Sequence, residues 1–166
     1  MRKTLYLAAA VAIFFAFGCN KETIEEINAE RTGKGTKEVA WAVTASFWRL
    51  TSIKLSYSNG TIVDSVIDIC RKDDLETFKN DGQVTILHGS EACTINPADG
   101  RFASWELLDN GTRIKETYER DMRGIPSGTI RDYQIEYIAF KRMVISRMEI
   151  DPVLGEYRET TTLTRN

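Results

Sequence analysis

The sequence predicts an all-β fold, an antiparallel up-and-down β-barrel of about eight strands, and three observations carry that expectation. Short segments rich in β-branched and aromatic residues recur at even spacing between Trp48 and Arg165. Two-residue turn signals punctuate them at Asn59-Gly60, Asp81-Gly82, Asp99-Gly100 and Asn110-Gly111, where the residue types tolerate the positive φ of tight hairpins. Long connections are few, so Greek-key crossovers are disfavoured and successive strands should pair in order. An eight-stranded barrel just encloses its own side chains or one small ligand.

The first residues belong to something other than the barrel. Arg2 and Lys3 give a positive start, Leu5 to Phe17 is unbroken apolar chain, and Gly18 precedes Cys19. That order is the order of a secretory signal peptide, residues 1–18. The apolar run is about 13 residues, short of the ~20 needed to span a hydrocarbon core. Ala16-Phe17-Gly18-Cys19 resembles a bacterial lipobox, in which the cysteine is acylated and becomes the mature N-terminus. Phe17 departs from the small or hydroxylated residue usual at its position, and an ordinary signal peptide with a nearby cysteine is the alternative. Acyl chains on Cys19 would anchor the chain to a membrane at about 0.8 kcal/mol per buried methylene.

Residues 19–38 are polar and charged, with Lys21, Glu22, Glu25, Glu26, Glu30 and Arg31 ahead of Gly33-Lys34-Gly35. They offer little to bury, so a flexible tether is expected there, with the barrel domain spanning 39–166. The chain carries 22 basic and 24 acidic residues, a formal net charge of −2. Cleavage after Gly18 removes Arg2 and Lys3 and no acid, leaving no basic stripe to neutralise phosphates. Nucleic acid is therefore an improbable partner on electrostatic grounds.

Three cysteines less the lipidated one leave Cys70 and Cys93 in an oxidising compartment, which predicts a disulfide between them. A bridge closing a loop of this size is worth about 3 kcal/mol on the chain-entropy model. Two free buried thiols are the alternative.

The domain opens with Val39 to Phe47, whose small and apolar residues fit a short helix or a first strand. Trp48 to Leu55 then alternates, placing Trp48, Leu50, Ser52 and Lys54 on one face and Arg49, Thr51, Ile53 and Leu55 on the other. Thr61 to Ile67 returns after the Asn59-Gly60 turn. Asp68 to Asp74 reads as a polar bend, and Leu75–Lys79 and Gln83–Leu87 as a hairpin. Glu91 to Asp99 is a loop, Phe102–Leu108 and Thr112–Tyr118 are the next hairpin, and Glu119–Gly128 is a charged connection. Three strands close the chain: Thr129–Ile138, Met143–Ile150 and Tyr157–Arg165.

Catalytic and metal chemistry find no support in the motifs. His88 is the only histidine and lies near Ser90 and Glu91, but there is no Gly-x-Ser-x-Gly elbow; an exposed loop histidine is expected. Asp68, Asp73 and Asp74 lack the ligand spacing of a calcium loop and read as solvated turn acids. No enzyme activity, metal or cofactor is expected.

The domain resembles the lipocalin-like domains of Bacteroidetes lipoproteins. Trp48-Arg49-Leu50-Thr51-Ser52-Ile53 opens it, Cys70-Arg71-Lys72-Asp73-Asp74 leads to Phe78 and Asp81-Gly82, and Cys93 follows Gly89. Trp105-Glu106-Leu107 then precedes Asn110-Gly111, and Thr160 to Arg165 forms a threonine-rich closing strand. Transport lipocalins open with Gly-x-Trp, and Ser46 stands at the glycine position here. The resemblance implies a calyx-like barrel, the Cys70–Cys93 pairing, and a basic residue, Arg165, packed over Trp48 to close the base. It also implies an outer-membrane anchor through Cys19, on the periplasmic or the surface face. In such a cup Tyr133, Ile135 and Tyr137 on one strand, with Met148 on the next, would line a pocket for a small hydrophobic ligand. They would serve equally as plain core. The expected function is binding of a small hydrophobic molecule; the alternative is a structural or protein-interaction lipoprotein with a filled barrel, docking through Glu119–Gly128.

Overall fold

The computed structural model describes residues 35–91 and 98–165. Residues 1–34, including the signal segment, Cys19 and most of the tether, lie outside the described residues, as does Cys93. The chain begins with helix α1 (Gly35–Thr44), followed by strands β1 (Phe47–Tyr57) and β2 (Ile62–Asp64) and a short helix α2 (Ile69–Lys72). Strands β3 (Leu75–Phe78), β4 (Gln83–Leu87), β5 (Gly100–Leu108) and β6 (Arg113–Tyr118) come next, with a 3₁₀ turn at Asp109–Gly111. Strands β7 (Ile130–Ala139), β8 (Arg142–Asp151) and β9 (Gly155–Arg165) complete the chain.

The sheet is antiparallel in the order β2-β1-β3-β4-β5-β6-β7-β8-β9, and β1 also pairs with β9. That last pairing closes an eight-stranded barrel, with β2 as one extra strand. Closure leaves β1 with three neighbours: β3 at Trp48, β2 at Lys54 to Ser56, and β9 along its whole length. A closed barrel removes the sheet edges that would otherwise expose unpaired N–H and C=O groups.

Four elements differ from the expectation. The strand expected over Thr61–Ile67 shortens to β2, whose side chains are exposed and which lies outside the barrel, so β1 pairs with β3 past it. Helix α1 starts at Gly35, inside the segment expected as tether, because Val39, Ala42 and Val43 recur at i, i+3 and i+4 and are fully buried against the barrel. The bend before β3 winds into helix α2. In β1 the register shifts between Leu50 and Ser52, so Thr51 is a bulge that resets the alternation. Trp48 and Leu50 face inward below it, and Ile53, not Ser52, faces inward above it.

One end of the barrel is plugged. Trp48 is fully buried and its Nε1–H donates to the Val43 carbonyl at 2.7 Å, tying β1 to α1. The Arg165 guanidinium carbon lies 5.5 Å from the Trp48 ring centroid and 4.2 Å from that of Phe140. Arg165 Nη2 also donates to the Ala42 carbonyl at 3.1 Å. Helix α1 rests on the β5–β6 turn at Gly111, where φ is +87° and a Cβ would stand 3.2 Å from the Thr36 Cα. Only glycine satisfies both the backbone angle and that approach. Arg165→Ala removes the cation over two rings and is expected to cost about 0.5–2 kcal/mol, read as a lower thermal midpoint; an unchanged midpoint would show the contact idle.

Candidate functional site

The barrel interior divides by register into an apolar lower half and a charged upper half. Below, Leu50 pairs with Leu163, which in turn pairs with Met143, and Phe78 and Ile145 complete the apolar wall, while Phe102 packs against Tyr118 near the upper end, their ring centroids 5.7 Å apart. Above, Glu116 on β6 pairs with Arg131 on β7, and Arg147 on β8 pairs with Glu159 on β9. All four line a cavity of about 190 Å³, together with Arg71, Glu76, Arg123 and the phenol rings of Tyr118 and Tyr133. Met122 and Ile125 join by a single β-bridge and line the same cavity, so the connection between β6 and β7 folds over the barrel's upper end.

The charges inside are unevenly matched. Arg147 donates to both Glu159 oxygens at 3.1 Å and pairs with Glu149. Arg123 pairs with Asp74 and lies 3.7 Å from Glu76. Arg131 forms no ion pair among the described residues, and its guanidinium carbon lies 5.5 Å from the Tyr118 ring centroid. The Nε atoms of Arg71, Arg123 and Arg131 are buried without a hydrogen-bond partner.

Burial pushes the Glu116 carboxyl up to about 8, the Glu76 charge adds to that rise, and Arg131, Tyr118 and Arg147 offset part of it. Burial likewise raises Glu76, against the nearby Arg123. At neutral pH Glu116 is therefore mostly protonated. A group raised in the folded state contributes stability that is complete below its ordinary value of 4.5 and is lost as pH climbs to about 8. Glu116→Gln is expected to flatten that decline, so urea unfolding at pH 5 and pH 9 should differ less in the variant than in the parent. Parallel pH dependence in both proteins would contradict the assignment.

A second cluster sits at the cavity's rim. Asp74 is buried, 2% exposed, and its carboxylate accepts from the Gly89 N–H at 3.1 Å and from Arg123, while His88 Nδ1 lies 3.1 Å from Oδ1. Asp73 accepts from the Glu91 N–H at 3.0 Å, which lowers its carboxyl below the ordinary range. A Cβ at Gly89 would stand 2.0 Å from the Asp73 carboxyl carbon, so this glycine lets the two segments meet. Two sequence expectations are corrected here. Asp74 is a buried, paired acid and not a solvated turn residue, because Arg123 arrives from 49 positions along the chain to neutralise it. His88 is held against that acid and not free in a loop, its side chain only 13% exposed.

The residues expected to line a pocket separate. Tyr133 is buried and lines the cavity. Ile135 is buried in the core outside the lining. The register shifts between Ile135 and Tyr137, so Glu136 is a bulge, Ile138 takes the inward place and Tyr137 turns out beneath Arg142, whose guanidinium carbon is 4.7 Å from its ring centroid. Met148 is 59% exposed, because the inward residues of β8 are Met143, Ile145 and Arg147. A strongly charged lining replaces the apolar one expected. The signal for it was present: Glu116 stands between Ile114 and Tyr118 at strand spacing, Arg131 two residues before Tyr133, and Arg147 two after Ile145.

Among the described residues no group of three His, Cys, Asp or Glu side chains is placed to hold a metal ion, and no helix is long and apolar enough to cross a membrane. No protein-family model matches the chain, and no curated protein matches it. The eight-stranded antiparallel barrel with one plugged end fits a lipocalin-like fold.

Proposed function

We propose that this chain is a lipid-anchored, lipocalin-like binding protein of the Bacteroidetes cell envelope that holds one small molecule in its barrel without transforming it. The observation that carries the reading is the cavity of about 190 Å³ inside a closed barrel, plugged by Trp48 at one end and covered by Met122 and Ile125 at the other. Its volume exceeds the ~150 Å³ apolar cavity that admits benzene and falls below the ~300–1,000 Å³ of drug-sized sites. The ligand is accordingly small, and with seven Arg and Glu side chains in the lining, four of them arginines, it is not purely hydrophobic. The filled-barrel alternative, docking through Glu119–Gly128, is less favoured, since that segment turns Met122 and Ile125 into the cavity.

Ligand binding raises the midpoint of the mature protein by mass action. A panel of small acids, neutral molecules and amines should include at least one class that does so dose-dependently, and a flat response to all three would favour the filled barrel. Anchoring through Cys19 to the outer membrane, on either face, is tested by incorporation of labelled palmitate, which Cys19→Ala should abolish. The Cys70–Cys93 disulfide belongs to the same proposal. Its support is that Asp73 and Asp74, just after helix α2, bind Gly89, Ser90 and Glu91, drawing together the chain that follows one cysteine and the chain that precedes the other. Alkylation of the denatured, unreduced protein should then modify neither Cys70 nor Cys93.

A further inference from the structure

We infer that the cavity takes a small amphipathic anion, a carboxylate on a short apolar body, with the carboxylate on Arg131 and the body directed toward the Trp48 end. This deepens the binding reading above and rests on it. Arg131 is the reason for the charge. It points into the cavity from β7, its cross-strand neighbour is Glu116, and yet among the described residues it forms no ion pair. Its Nε is buried and without a hydrogen-bond partner, a state that costs free energy unless something fills it. Arg147 and Arg123 are already engaged with Glu159, Glu149, Asp74 and Glu76. Arg71, on helix α2 at the same cavity, also leaves its Nε unpartnered. The lining thus holds more guanidinium than available carboxylate, and a bidentate carboxylate is the natural complement to a guanidinium fork.

The apolar body follows from the lower wall. Leu50, Phe78, Ile145 and Leu163 line the cavity beneath the charges and offer no polar partner. A bare anion would leave that surface uncovered, and an apolar molecule would leave Arg131, which hydrogen-bonds the Tyr133 phenol, without an anionic partner. One ligand with both ends satisfies both halves. At about 190 Å³ the body is a single ring or a short chain.

Hexanoate and benzoate are suitable probes, against hexanol, benzyl alcohol, hexylamine and inorganic phosphate. Titration of the mature protein, followed by the methyl resonances of Ile145 and Leu163, should give hexanoate at least tenfold tighter binding than hexanol and tighter than phosphate. Arg131→Met should remove the preference for hexanoate over hexanol, and Arg131→Lys should restore much of it. Equal affinity for hexanoate and hexanol would overturn the anion assignment while leaving the binding site standing. Phosphate binding as tightly as hexanoate would overturn the apolar body. If no probe moved either methyl resonance, the binding reading itself would fall with it. Should Arg131→Met fail to fold, the hexanoate-to-hexanol ratio of the parent and of Arg131→Lys still decides.

Discussion

Asp74→Ala is expected to lower the free energy of unfolding by about 3–5 kcal/mol, the usual loss when one member of a buried ion pair is removed. Asp74 is 2% exposed, and its partner Arg123 has a side chain 12% exposed, so the guanidinium, left with only Glu76 at 3.7 Å, has little access to water. The same substitution frees the Gly89 N–H and His88 Nδ1. Arg123→Met should be costly for the mirror reason, and the double variant should lose much less than the two singles added, because neither charge is then left alone. Denaturant unfolding of the four proteins measures this. A loss below about 1 kcal/mol for Asp74→Ala would put the pair in the class of exposed surface bridges and undo the description of the rim.

Trp48→Ala should be comparably severe, about 3–5 kcal/mol for emptying a buried aromatic site. Trp48 is fully buried, bonded to Val43 and stacked under Arg165, so the cavity it leaves opens the plugged end. Trp48→Phe separates the two contributions. It retains a ring beneath Arg165 but strips the Val43 carbonyl of its donor, for an expected loss of about 1–3 kcal/mol. If the phenylalanine variant were as unstable as the alanine variant, the hydrogen bond to α1, and not the ring, would hold this end together.

The hairpins were legible because they depend on local chemistry. The glycine at Gly60, for instance, has φ +88° in the turn that joins β1 to β2, as Asn59-Gly60 announces. Closure, by contrast, pairs β1 with β9 from opposite ends of the domain, and β2, expected in the barrel, lies outside it so that β1 pairs with β3. What the sequence concealed lies beyond the bulges. Barrel curvature places one extra residue at Thr51 and another at Glu136, and each inverts every facing beyond it. Tyr137, expected inward, lies outward for that reason. The charged interior was concealed by a sound general rule, that Arg and Glu are seldom buried; Glu116, Arg131 and Arg147 violate it together, which sequence spacing hints at and only the closed barrel reveals. Asp74 was out of reach altogether, since nothing local to it indicates Arg123.

Native mass spectrometry of the protein taken from its own host addresses the interior itself. The account predicts a population carrying, besides any acyl chains on Cys19, one small acid that is lost on denaturation and absent from Arg131→Met. A native mass identical to the denatured mass, in protein kept folded throughout, would contradict it and leave the barrel a filled scaffold.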